Sequence, residues 1–111
     1  MKNVLSIAGG LLLAVSSAVF ADPHADMALE HANAAVTHGK AGHASVLVEH
    51  AETALEHAKQ SAHAATGESR THADAAVKSL EEAIKHGKLG HADVAAKSAE
   101  AAVEHLNAGK K

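Results

Sequence analysis

The sequence predicts an all-α protein, an up-down-up-down four-helix bundle made of two duplicated antiparallel helical hairpins. Three observations lead there. Apolar residues recur with the helical period, and nothing alternates with period two. Two short turns, Gly39-Lys40-Ala41-Gly42 and Gly87-Lys88-Leu89-Gly90, stand where a helix would reverse, and turns this short make sequential helices antiparallel neighbours. An internal repeat with an offset of 48 relates residues 24–61 to residues 72–109, with 17 of the 38 aligned positions identical.

The elements follow in chain order. Residues 1–21 read as a secretory signal peptide. Lys2 gives a basic start, Val4 to Val15 is an apolar stretch broken only by Ser6 and two glycines, and Val19-Phe20-Ala21 is a small-residue cleavage site. Cleavage after Ala21 is expected. Retained, the segment would tether the same domain outside the inner membrane. The remaining chain, residues 22–111, is one His-rich four-helix domain. Alanine, leucine, glutamate and lysine favour helix, and helices are expected over about 23–38, 43–65, 69–86 and 91–108. Asp22 before Pro23 is an N-cap with proline at the first helical position. Thr71 with Asp74 imitates a capping box, with Ser69 as the other capping residue on offer. Gly39, Gly87 and Gly109 sit where glycines end helices.

Eleven histidines stand in the 111 residues, and ten of them form two mirror-symmetric ladders. His24, His31 and His38 are seven apart, as are His43, His50 and His57 beyond the first turn. The numbers of every facing pair sum to 81. The second repeat gives His72, Ser79 and His86, then His91, Ser98 and His105, with facing pairs summing to 177. A folded hairpin would therefore set histidines level with one another. With histidine as zero, positions +1, +4 and +5 are apolar almost throughout: Ala25, Ala28, Leu29, Ala32, Ala35 and Val36 in the first helix. At 100° per residue the core face centres about 90° from the histidine. Histidine is then the g position of a heptad, and g borders g in an antiparallel pair. Periodicity and mirror symmetry reach the same pairing independently.

Residues seven apart on a helix are about 10.5 Å apart along its axis, too far to share one ion. Chelation within a helix uses i,i+3 or i,i+4 pairs, and no His-x-x-His, His-x-x-x-His or Glu-x-x-His occurs. Zincin-type and ferritin-type helix motifs are thereby excluded. Any metal site must be built across helices, on the rungs His38/His43, His31/His50, His24/His57, His86/His91 and His72/His105. Ser79 and Ser98 together vacate the sixth rung, so hairpin one is expected to bind more metal than hairpin two. Secondary donors are Met27, Glu68, Glu82 and His63. Glu30, Glu49, Glu56 and Glu104 point about 100° from the adjoining histidines, toward solvent. An amino-terminal chelate at His24 is rejected, because Pro23 has no amide hydrogen to lose.

Two imidazoles plus oxygen suit Cu(II), Ni(II) and Zn(II), and the divalent order puts copper first. Binding is expected to be promiscuous across divalent metals and to fall as pH drops through about 6.5, since protonated imidazole cannot ligate. The chain has no cysteine, which argues against a dedicated Cu(I) or iron–sulfur site. Without Lys2 the basic count falls from 10 to 9 against 13 acids, so net charge passes from −3 to −4. That excludes a basic face for nucleic acid or for a membrane. No nucleophile–base pair, core carboxylate pair or cofactor motif is present, so an enzyme is not expected. A monomer is expected, and no strip of sequence nominates a protein partner. A metal buffer is the leading reading. A copper metallochaperone, or a structural or pH-responsive adaptor without metal, are the alternatives.

The Ala-Leu-Glu-His-Ala heptads at residues 28–32 and 54–58, the two His-Gly-Lys-x-Gly-His turns and the N-terminal segment resemble the bacterial periplasmic small metal-binding proteins, a family of His-rich, copper-binding four-helix proteins. The resemblance spans the whole chain. It implies periplasmic location, several divalent ions with copper foremost, and a role in copper buffering or tolerance.

Overall fold

The computed structural model describes residues 22–110, so the expected signal peptide and Lys111 lie outside the described residues. Four helices follow one another: α1 (Pro23–Lys40), α2 (Ala44–Ala64), α3 (Gly67–Lys88) and α4 (Ala92–Gly109). Sequential helices pack along their lengths, α1 with α2 and α3 with α4. The hairpins then join through α2 against α3 and α1 against α4. This is the up-down-up-down bundle, with both Gly-Lys-x-Gly turns at one end and the α2–α3 connection at the other.

The heptad sorts burial as its angles require. Positions +1 and +4 are almost all buried: Ala25, Ala28, Ala32 and Ala35 on α1, and Leu47, Ala51, Ala54 and Ala58 on α2. Position +5, as in Leu29, Val36, Leu55 and Ile84, packs partly buried against this core. The buried cluster contains twelve alanines and three leucines, Leu47, Leu80 and Leu106. One repeat away from these leucines stand Ala95, Ala32 and Ala58, buried in the same cluster. Counterpart positions of two like hairpins project toward a common axis, where one leucine fills space that two would overfill.

Other contacts obey the same pseudo-twofold relation. Lys40 of α1 pairs with Glu100 of α4 at 2.9 Å, and Lys88 of α3 pairs with Glu52 of α2 at 3.7 Å. The two pairs are related by the repeat offset. Both are exposed, so each contributes little to stability.

The turns depart from expectation. Gly39 and Gly87 do not end helices; α1 continues to Lys40 and α3 to Lys88, with C-caps Ala41 and Leu89 in right-handed conformation. Both glycines are buried. A Cβ on Gly39 would stand 2.5 Å from Leu47 Cδ1 and 2.8 Å from Ala96 Cβ, and one on Gly87 would stand 2.5 Å from Val48 Cγ2. They are glycines because a neighbouring helix occupies the space a side chain would need. The left-handed residues are Gly42 at φ +85° and Gly90 at φ +83°, a conformation that costs glycine little. Gly109 is the last helical residue of α4, with Lys110 as the C-cap in right-handed conformation.

The start of α3 also differs. The helix begins at Gly67 with Thr66 as N-cap and no side-chain cap. Thr71 donates to the Gly67 carbonyl inside the helix, and Asp74 meets Arg70 at 3.8 Å, so no capping box forms. Ser69 donates instead to the Gly109 carbonyl at 3.0 Å, tying α3 to the end of α4. Asp22 is the N-cap of α1 as expected. One of its oxygens accepts from the amides of His24 and Ala25, while the other accepts from Ser61 Oγ at 2.7 Å. Each hairpin is thus laced at its open end, close to its first histidine pair.

Candidate metal centre

The imidazoles lie on the seams α1/α2 and α3/α4, at the edge of the alanine core. Small residues at +1 and +4 let the backbones of a hairpin come close, so short histidine side chains meet across the seam. Eight of the ten ladder histidines are half-buried; His43 and His91 are exposed. These two are the N-caps of α2 and α4, yet neither imidazole caps its helix. Both turn toward the ladder. The rings of His38 and His43 are 6.0 Å apart, and those of His86 and His91 are 6.2 Å apart.

The other three rungs are tighter. His24 Nδ1 lies 3.0 Å from His57 Nδ1, His31 Nδ1 lies 3.2 Å from His50 Nδ1, and His72 Nδ1 lies 3.5 Å from His105 Nδ1. A metal–imidazole bond of about 2.0–2.1 Å places two ligand nitrogens about 2.9 Å apart at a right angle and about 3.3 Å apart at the tetrahedral angle. The rungs are already at the spacing of two ligands on one ion. In a neutral pair one Nδ1–H donates to the other Nδ1. Moving that proton to the far ring nitrogen frees both lone pairs, with no net proton lost. At the fourth rung the buried His86 Nδ1, beside His91, makes no hydrogen bond within the described chain.

All five expected rungs are therefore brought together. Neighbouring rungs also touch one another. His38 stacks on His50 with ring centres 5.4 Å apart and planes 5° apart, and His31 stacks on His57 at 6.5 Å and 7°. Hairpin one thus carries an unbroken zigzag of six imidazoles, running His43, His38, His50, His31, His57, His24. His50 is 5.4 Å from both His31 and His38, so its ring stands between them along the seam, a stagger that the sequence pattern alone does not signal. In hairpin two the half-buried Ser79 and Ser98 interrupt the series. Among the described residues, ring contacts between histidines occur only within a hairpin, so rungs do not merge into four-histidine sites across the bundle.

The secondary donors contribute less. Glu82 lies 3.6 Å from His86 Nε2. Met27 is 39% exposed. Glu68 and His63 are exposed, and neither shares a hydrogen bond or ion pair with a ladder histidine. Glu30, Glu49, Glu56 and Glu104 are exposed, as their angle requires. Among the described residues no group of three or more histidine, aspartate or glutamate side chains converges on a point. A hollow of about 470 Å³ at the open end, between Asp22, Ser61, Ser69 and Lys110, takes in His105 alone of the ladder and holds no pair.

Comparison with curated proteins gives no match. The family model described as small metal-binding protein matches residues 1–109. Paired imidazoles at ligand spacing along both seams are the structural counterpart of that description, and the chain belongs to the small metal-binding protein family.

Proposed function

We propose that this protein is a periplasmic buffer for divalent transition metals, chiefly Cu(II) and also Ni(II) and Zn(II), contributing to copper homeostasis or tolerance. It binds ions stoichiometrically and does not turn over a substrate. The observation that carries the reading is the Nδ1–Nδ1 separation of 3.0–3.5 Å on three rungs, the span of two nitrogens on one ion. His24, His31, His38, His43, His50, His57, His72, His86, His91 and His105 are the ligands, two per rung. Water completes each shell, with Glu82 available at the His86/His91 rung. Sites with two imidazoles and open positions discriminate weakly by geometry, and the order of divalent stabilities then favours copper. The basic start, apolar run and Val19-Phe20-Ala21 sequence support export and cleavage after Ala21.

Equilibrium dialysis against Cu(II) at pH 7 and pH 5 tests the reading. Several ions per chain are expected at pH 7 and few at pH 5, because imidazole ligates only when neutral. Less than one ion per chain at pH 7 would overturn it.

A further inference from the structure

We propose that the ladder of hairpin one is also a docking face, and that its occupant is a second copy of this chain bridged through shared divalent ions. The inference rests on the metal-binding reading and extends it to the partner that completes each site.

Two independent observations point there. The first is a coordination deficit. A rung supplies two nitrogens, and among the described residues no group of three or more His, Asp or Glu converges on a point; the carboxylate beside a rung, Glu82 at His86, lies in hairpin two. Zn(II) in protein sites takes four ligands in tetrahedral array, so half its shell faces outward from the seam. A second ladder of the same spacing supplies the missing half at every level. A twofold axis through the level of the His31/His50 rung brings three rungs of one copy into register with three of the other. The contact is then isologous and closed. Three ions about 10.5 Å apart act together, so each bridge raises the effective concentration for the next.

The second observation concerns the ground beside the histidines. Position +3 lies next to the histidine on the side away from the core. The large hydrophobic residues left exposed in the described chain are Met27, Leu89 and Val94, at 39%, 62% and 46%. Each stands three residues after a ladder histidine, His24, His86 and His91. In hairpin one the +3 positions of the helices are Met27, Ala34, Val46, Thr53 and Gln60, without a charge among them. The acids Glu30, Glu49 and Glu56 lie further round. Leu89 and Val94 belong to hairpin two, but that hairpin also places Glu82 on the corresponding face and lacks its middle rung; hairpin one, with three rungs and no charge at +3, is the dock. The chain has a net charge of −3. Divalent ions on the seam offset the repulsion between two such copies.

Sedimentation velocity of the purified protein, with Zn(II) binding measured in parallel by dialysis, tests the proposal. A monomer is expected in chelator, a dimer with saturating Zn(II), and a monomer again when chelator is restored. His24→Ser with His31→Ser and His38→Ser removes one ligand from every rung of hairpin one and should abolish the dimer. Thr53→Lys with Gln60→Lys changes two exposed +3 positions, keeps every histidine and the whole core, and should bind Zn(II) while weakening dimerisation at least tenfold. Zn(II) bound by a protein that stays monomeric would overturn the docking face and leave the buffer intact. A dimer insensitive to both variants would also overturn it. Failure to bind Zn(II) at all would remove the metal-binding reading and the docking face with it.

Discussion

Replacing the middle rung of hairpin one, His31→Ser with His50→Ser, tests the pairing in energetic terms. The two imidazoles stand on different helices with Nδ1 atoms 3.2 Å apart. Histidines along one helix are a heptad apart, about 10.5 Å. Unfolding destroys the first arrangement, so an ion held by a rung stabilises only the folded hairpin. A site filled at about 100 times its Kd adds about 2.7 kcal/mol. For a domain of 60–100 residues 1 kcal/mol is worth roughly 4–8 °C in Tm. Loss of one rung should therefore cut the metal-induced rise in Tm by roughly 10–20 °C. Either single substitution already strands one imidazole, so each should cost about as much as the pair, and the coupling between them should approach the full 2.7 kcal/mol of the site. Thermal melts followed by far-ultraviolet circular dichroism serve as the assay, since the chain has no Trp or Tyr and Phe20 is its one Phe. Melts in chelator supply the baseline for any loss of packing. Additive losses, or a metal-induced rise that survives in the double variant, would refute the rung.

Two further changes probe the surroundings of the ladders. Ser79→His with Ser98→His restores the vacant rung and should add one bound Cu(II) per chain in dialysis at pH 7; an unchanged count would show that facing positions alone do not make a site. Gly39→Ala should destabilise the metal-free protein by about 1 kcal/mol, overpacking of about 1–3 kcal/mol outweighing a helix-propensity gain of about 1 kcal/mol. Gly87→Ala should cost less, because its close contacts are the side chains of Val48 and Leu47 alone, whereas Gly39 also faces Ala96 Cβ at 2.8 Å and the Ala92 carbonyl oxygen at 3.2 Å. Urea denaturation in chelator distinguishes the two.

The bundle and the rungs were legible because both follow from periods. A heptad places histidine 40° from one buried position and 100° from the other, and the mirror about Gly39–Gly42 brings the facing histidines to one seam. The N-cap of α1 was legible because Asp22 acts on amides two and three residues away. Features set by distant neighbours were not. Gly39 reads as a helix end, yet its role comes from Leu47 and Ala96 on other helices. Ser69 reads as a cap, yet its hydroxyl donates to Gly109, forty residues on. The zigzag between rungs depends on the width of the seam, which local sequence does not encode. The pairing of α2 with α3 and α1 with α4 depends on how two like hairpins share one core.

The alanine core and the ligand spacing are one design constraint. Nδ1 atoms 3.0–3.2 Å apart on opposite helices require a narrow seam, and alanine at the d positions makes it narrow. Ala28 and Ala54, both fully buried, lie at nearly one level between the His24/His57 and His31/His50 rungs. Alanine buries little area, so at about 25 cal/mol per Å² the seam contributes little hydrophobic attraction. Ions on the rungs supply attraction where the core gives least. Enlarging both sites, Ala28→Leu with Ala54→Leu, therefore sets two effects against each other. The added methyl groups must wedge α1 from α2, since the packed core has no room for them. The wedge draws the flanking imidazoles beyond the span of one ion. Dialysis should show about two fewer Cu(II) ions per chain, with every histidine still present. Retention of the full count with a stabilised metal-free fold would mean that the narrow seam has no part in ligation.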